Sequence, residues 1–518
     1  MDNTQKECVF VSEKSKIFPS LRIFIAFLLC LCFVALAIGT SNISQSMVCM
    51  VKKPEQNTTC PFAENLEVEA VPCHQARKYQ WTSFQQSLLY SGQNFGSLFM
   101  FVCGWQADRL NGKWTILVGL IFIIIANALL PSAANVSIAL VFSLRFLTGL
   151  GDALLSPASS SMITRWFPPK ERPTALAIVT GGRQIGTLII LPVGGILCSS
   201  DNTSSLGGWP TIFYISSIVA AVVVVIWLIF SADKPSKHLC ISSNEEAYIH
   251  RKVEEEHVGK RKNRGKTPWR KILTSKSIWV SVAALVCHEF PLVIMMQFLP
   301  KFFSDVLGLS STINGFVSAV PMLTLFFSKT LSSSLASYLT ANGILGKTTS
   351  CKLFNGIASL GLGICIGATP LMSQLQHPAL VIIILCLANL FAGLHTPGVQ
   401  TALVQLAPAY SGVITGIAFT VAACFSILNK LLIGQILVTG SKREWTIVFE
   451  ISAFVAIIPV VFFSLWGSAE RVDWATSQTS TPPDADQKSQ DSATSTSSVV
   501  QIIAKNFMFL SHDLTHSA

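Results

Sequence analysis

Arg145 and Asp152 are the two residues of this chain best placed to do chemistry. They stand in the stretch RFLTGLGDALLSP, Arg145 to Pro157, inside an apolar run from about Ile138 to Ile163. A run of that length crosses a bilayer as a helix. A separation of seven residues is close to two helical turns, so both charges point the same way. Each charge in the hydrocarbon costs at least about 2.5 kcal/mol, so an aligned pair does not face lipid. The pattern points to a helix that lines a polar cavity. Arg145 would hold an anion with its planar fork of donors, and Asp152 would act as a proton switch. A structural Arg–Asp pair that only braces the bundle is the alternative. Gly149 and Gly151 let another helix pack close on the same segment.

The elements that must position these residues follow from composition. Of 518 residues, 51% are hydrophobic and 12% charged, about half the charge of a soluble domain. The mean hydropathy of +0.54 agrees. The chain therefore reads as an all-α, multi-pass membrane protein, and soluble enzyme classes are disfavoured. The net charge of +10 sits in loops, where it sets orientation; it is not a nucleic-acid signal. Twelve apolar runs begin near Leu21, Trp81, Trp114, Ile138, Thr174, Thr211, Ile278, Ile313, Cys351, Pro378, Val413 and Trp445. They divide the chain into an N-terminal segment (1–20), a six-helix half (21–233), a basic linker (234–276), a second six-helix half (277–468) and a polar tail (469–518).

Basic residues Arg109, Lys113, Arg165, Lys170, Arg172 and those of the linker fall on one side. The positive-inside rule then places both termini in the cytoplasm. The sequons at Asn57, Asn135 and Asn202 fall on the opposite side, and Asn57, in the longest outer loop, is the expected glycan acceptor. Asn42 lies at the outer end of the first span. The same loop holds Cys49, Cys60 and Cys73, of which Cys60 and Cys73 are the expected disulfide. Most other cysteines read as small packing residues. The tail is polar, then turns apolar at VVQIIAKNFMFL. That run is too short to span and is a candidate surface or partner-binding segment.

Further motifs carry a resemblance. GWQADRLNGK, Gly104 to Lys113, resembles the signature loop of the major facilitator superfamily. It makes Asp108, Arg109 and Lys113 gating candidates that latch one state of a rocking transporter. The second half's equivalent, Ser332 to Ser337, lacks the acid. RFLTGLGDALLSPA, RWFPPKERPTALAIVTGGRQIGTLIILPVGGIL, TPWRKILTS at Thr267, NGFVSAVP at Asn314, LAPAYSGVITGIA at Leu406 and Glu444–Trp445 resemble landmarks of its anion:cation symporter family. The resemblance runs from about Ile17 to Trp474. It implies a twelve-helix bundle that moves organic or inorganic anions by alternating access, coupled to protons, sodium or voltage, with no bound cofactor. The family's fourth-span arginine and acid fall on Arg145 and Asp152.

Departures from the family narrow the cargo. A seventh-span arginine of the vesicular glutamate transporters falls on His288, which is cationic only when protonated. Phe419 replaces a frequent asparagine. His288 is therefore a cavity candidate, with Glu289 beside it. Arg183, in GGRQIG, either neutralises Asp152 from the next helix or contacts the anion itself. Tyr90 and His395 are weaker cavity candidates, and Lys430 either snorkels outward or attracts anions. No nucleophile–base set, phosphate-cradling loop or metal-ligand spacing stands out, so the chain reads as no enzyme. A voltage-driven anion uniporter or channel and a non-transporting membrane sensor remain as rivals.

Overall fold

The computed structural model describes residues 20–51, 79–106, 111–167, 172–199, 208–238, 240–254, 268–374, 378–407, 410–472 and 474. Contacts divide the chain at Val472, and the helical bundle is the unit up to that residue. The first half consists of α1 (Leu21–Met50), α2 (Ser83–Ser97), α3 (Met100–Gln106), α4 (Gly112–Val136), α5 (Ile138–Trp166), α6 (Arg172–Ser199) and α7 (Trp209–Phe230). The linker contributes α8 (Ser243–Glu254) and α9 (Trp269–Thr274). The second half consists of α10 (Lys276–Val293), α11 (Leu299–Val306), α12 (Ser311–Ala341), α13 (Lys347–Gln374), α14 (Pro378–Gly393), α15 (Thr401–Leu406), α16 (Ser411–Ile436) and α17 (Lys442–Trp466). The protein is therefore a helical multi-pass membrane protein, as its composition demands.

Among the described residues, 11 helical stretches are long and apolar enough to cross a membrane. The twelfth expected span is α2 with α3, broken by a turn at Leu98–Phe99. Its sequence, SFQQSLLYSGQNFGS, is too polar to join the others. That polarity has a structural use, because α2 lies between α5 of its own half and α16 of the other and meets both through polar groups. Thr82 starts it with a capping box closed by Gln85, which satisfies two otherwise orphaned backbone donors. Asn111 and Ser137 cap α4 and α5 with their side chains. Short π-helical turns interrupt two spans of the second half, Ile294–Phe298 after α10 and Thr396–Gln400 after α14.

The glycines near Arg145 serve two neighbours. A side chain at Gly149 would collide with the Gln93 carbonyl of α2, and one at Gly151 would sit 2.7 Å from the Gly119 oxygen of α4. In this way α5 is wedged between α2 and α4 at backbone distance. Large apolar side chains such as Ile218, Val225, Leu331 and Phe454 stay exposed on the outer surface, where lipid takes the place of a core.

A disulfide joins Cys49 at the end of α1 to Cys198 at the end of α6. The expectation from sequence placed Cys198 among the packing cysteines. The long α1–α6 contact explains the difference, since it brings the two Cα atoms to 5.9 Å. The expected Cys60–Cys73 pair lies outside the described residues, as do Asn57 and Asn202. Asn42 is fully buried and donates to Asn127 and Ser216. Asn135 is exposed at the end of α4 and accepts from the Tyr79 hydroxyl.

Candidate functional site

Arg145 and Asp152 share a helix face but not their partners. The long arginine side chain swings toward α1 and α2. It donates to the carbonyls of Gly39 (3.4 Å) and Thr40 (3.0 Å) and to Gln93 Oε1 (3.0 Å). It is 0% exposed, and its Nε has no partner. The short Asp152 side chain is met instead by α6. Arg183 donates to its two oxygens at 2.6 and 3.4 Å, and Ser156 Oγ donates to Asp152 Oδ1 at 2.8 Å. Of the two readings of Arg183, the geometry realises pairing with Asp152. Arg183 also donates to Ser156 Oγ and lies 5.0 Å over the Phe33 ring.

The ion pair is asymmetric. The Asp152 side chain is 9% exposed, that of Arg183 36%. On α6 the apolar residues open to the outside are Ile185, Ile189 and Ile196. At about 100° per residue they centre roughly 140° away from Arg183. The accessible edge of the guanidinium therefore faces the interior of the bundle, not lipid.

Two more cations point inward. Lys430 of α16 is buried and donates to the Tyr90 carbonyl (3.0 Å) and to Asn94 Oδ1 (2.5 Å) of α2. It does not snorkel, because the polar face of α2 offers acceptors at its own depth. Tyr90 is itself fully buried, its ring packed 4.7 Å from Phe298 and its hydroxyl without a partner. Lys329 of α12, which no sequence motif singled out, is half-buried. The signal that could have found it is a lone cation inside an otherwise uncharged span. In the second half, His288 and His395 stack with ring centroids 3.6 Å apart and planes 2° from parallel. Both are buried, and His288 Nδ1 and both His395 nitrogens have no hydrogen-bond partner. Glu289 is half-buried beside them.

Among described residues, hydrogen bonds between the halves gather at mid-span and toward the Met50 end of α1. Ser44 donates to the Gln297 carbonyl (2.6 Å), Gln45 to the Ser311 carbonyl (3.2 Å) and Thr312 to Ser199 (2.7 Å). A side chain at Gly195 of α6 would lie 3.0 Å from the Gly315 Cα of α12. The Met50 side is thus shut by polar ties and a glycine crossing. At the Leu21 end, Lys113 donates to the carbonyls of Leu228 and Ser231. Beside it Asp233 accepts from the Gly112 amide (2.7 Å) and from Arg165 (2.6 Å). The ends of α4, α5 and α7 are tied there through Asp233, a residue that carries no motif in the sequence. Asp108 and Arg109 lie outside the described residues. The linker docks on the same end, where Glu245 of α8 accepts from Arg22 Nε (3.0 Å) and from the first amides of α1.

Comparison with known proteins agrees with this architecture. The family model described as Major Facilitator Superfamily matches residues 27–429. Human sialin is 26% identical over 445 residues, covering 84% of this chain and 86% of sialin. The mouse vesicular glutamate transporter 2 is 27% identical over 405 residues, covering 77% of this chain and 67% of that protein. The crystal structure of a D-xylose-proton symporter superposes with a TM-score of 0.62 at 16% identity, covering 87% of this chain and all of that one. The fold is shared with it at that level of identity.

Proposed function

Because the chain belongs to the Major Facilitator Superfamily, a superfamily of transporters and not of enzymes, we propose that it carries a small anion together with a proton across the membrane by alternating access. The observation that carries this reading is the Asp152–Arg183 pair: a 2.6 Å ion pair, nearly buried on its acid side and open to the bundle interior on its guanidinium side. An arginine fork recognises carboxylate or phosphate well, but here one of its faces is already taken by Asp152. A proton delivered to Asp152 removes the competing charge and leaves Arg183 free for the substrate. Loss of the substrate lets Asp152 release its proton and re-form the pair. Anion and proton then travel together because each makes room for the other.

Arg145 supplies a fixed positive charge behind this pair. Its fork is held by helix carbonyls, and its partnerless Nε and the partnerless Tyr90 hydroxyl are two buried donors awaiting an acceptor. They are suited to receive the substrate when α1 and α2 shift. Lys113 is a gating candidate at the Leu21 end, as Asp108 and Arg109 are by their motif. The Cys49–Cys198 disulfide favours an oxidising compartment at the Met50 face, which agrees with cytoplasmic termini and a glycan on Asn57. The compartment is then a plasma membrane or a vesicle membrane. The polar tail is a candidate for binding partners.

The test is uptake into proteoliposomes holding the purified full chain, with an imposed pH gradient and a panel of labelled anions. Wild type accumulates an anion in the lumen when the outside is made acidic relative to the lumen. Uptake that follows voltage alone, with no response to pH, would instead favour the uniporter reading.

A further inference from the structure

Lys329 is an inward cation that the proton–anion exchange at Asp152 does not use. On α12 the large apolar residues open to lipid are Ile313, Phe316, Val320, Leu323, Phe327, Leu331, Leu335 and Tyr338. At about 100° per residue this stripe centres roughly 170–180° from Lys329, so the lysine points into the bundle. No hydrogen bond or ion pair within 4 Å holds its Nζ among the described residues. Glu289 of α10 is an acid within electrostatic range of it, and His288 and His395 are within the same range. None of them closes on it.

Lys329 and Arg183 come from opposite halves and stand at a similar depth. Helices α6 and α12 run antiparallel and cross at Gly195 and Gly315. From that crossing toward the Leu21 end, Arg183 lies twelve residues along α6 and Lys329 fourteen residues along α12. At about 1.5 Å per residue the two rise by roughly 18 and 21 Å. A second crossing, where a side chain at Gly181 would touch Phe326 at 3.7 Å, keeps the helices together at this level. Each cation lies in the other's field. Among the described residues Arg145, Arg183, Lys329 and Lys430 turn inward, with Asp152 paired to Arg183 and Glu289 within electrostatic range of Lys329. Once Asp152 is protonated, Arg183 has lost its paired charge and Lys329 keeps only the unpaired field of Glu289.

We propose that Arg183 and Lys329 form a two-point site for a two-headed dianion, with one negative group on each half. The proposal rests on the anion-carrier reading and narrows it to substrates bearing two separated acidic groups, such as α,ω-dicarboxylates. Such a substrate does more than bind. Bridging the halves offsets the repulsion between Arg183 and Lys329, so occupancy itself stabilises the α6–α12 contact at this level. A monoanion satisfies only one half and steadies that contact poorly.

Proteoliposomes with the full chain are loaded by uptake of labelled dicarboxylates of three to six carbons, monocarboxylates of the same lengths, and inorganic phosphate. Wild type should favour at least one dicarboxylate over its matched monocarboxylate by about tenfold or more in kcat/KM, a difference of about 1.4 kcal/mol. Lys329→Gln should collapse that ratio toward one, and Lys329→Arg should restore it, which separates lost charge from lost folding. A ratio near one in wild type, or one that Lys329→Gln leaves intact, would overturn the two-point site while leaving the anion carrier standing. A preference for phosphate over every dicarboxylate would put both cations on one group and overturn the two-headed assignment. Uptake of no anion in the panel would overturn both this inference and the reading beneath it.

Discussion

At the scale of single residues, the chemistry turns on which partner each charge finds. Asp152 is held by Arg183, and a buried charge that loses its partner typically costs about 3–5 kcal/mol. Asp152→Asn removes the charge but keeps the shape, so the protein should still fold and still exchange anion. Its uptake should no longer follow an imposed pH gradient, as read by comparing initial rates with and without the gradient. Arg145→Ala should abolish uptake while leaving the protein in the membrane, as read by surface labelling. Arg145→Lys should rescue little, because three acceptors on α1 and α2 are met by two nitrogens of one planar fork, and an ammonium lacks that geometry. Full uptake by Arg145→Lys would reduce its part to bare charge.

Several of these residues were legible in the sequence, and others were not, for physical reasons. The aligned charges of Arg145 and Asp152 are visible because seven residues bring a helix back to the same face. Their division between two neighbours is not, since it depends on side-chain reach and on which helices flank α5. Arg183 was legible as a cation beside the acid, but its choice between acid and substrate needed the α5–α6 contact. Lys430 was hard to place because its acceptors come from α2, more than 330 positions away in the chain. The stacking of His288 on His395 joins two spans over 100 residues apart and leaves no local pattern.

At the scale of elements, the span starts were legible, since apolarity marks them; near each of the twelve expected starts a helix begins within a few residues, while the shorter helices α3, α8, α9, α11 and α15 left no separate signal. The break between α2 and α3 is instructive. The second span is broken and polar because α2 must carry Gln93, Asn94 and the Tyr90 carbonyl to Arg145 and Lys430. The other feature of this scale is the crossing of α6 and α12 at Gly195 and Gly315, where no side chain fits. Gly315→Leu should wedge the Met50 side open. A cysteine at Phe298, which is 1% exposed in the closed state, should then react with a membrane-impermeant thiol reagent added from that side. In the otherwise unchanged chain the same cysteine should stay protected, and equal labelling of the two would place the closing contact elsewhere.

At the scale of the whole molecule, the two halves are joined by polar ties that can be exchanged and by few that are permanent. The one disulfide cross-link seen among the described residues, Cys49–Cys198, lies within the first half and leaves the second free to rock against it. Reduction should therefore leave uptake within about twofold of its starting rate, under about 0.5 kcal/mol in the barrier. A large loss on reduction would mean that the ends of α1 and α6 must stay joined for transport. Which substrate is carried was not legible at any scale from sequence, because specificity is set by side chains that several helices bring together only in the folded bundle.

The most direct measurement counts protons against anions. In sealed proteoliposomes with an internal pH dye, anion entry through the wild-type chain should acidify the lumen in step with uptake. Asp152→Asn should admit the anion with no accompanying acidification. If that variant carries protons in the wild-type ratio, the Asp152–Arg183 pair is not where the proton and the anion exchange places.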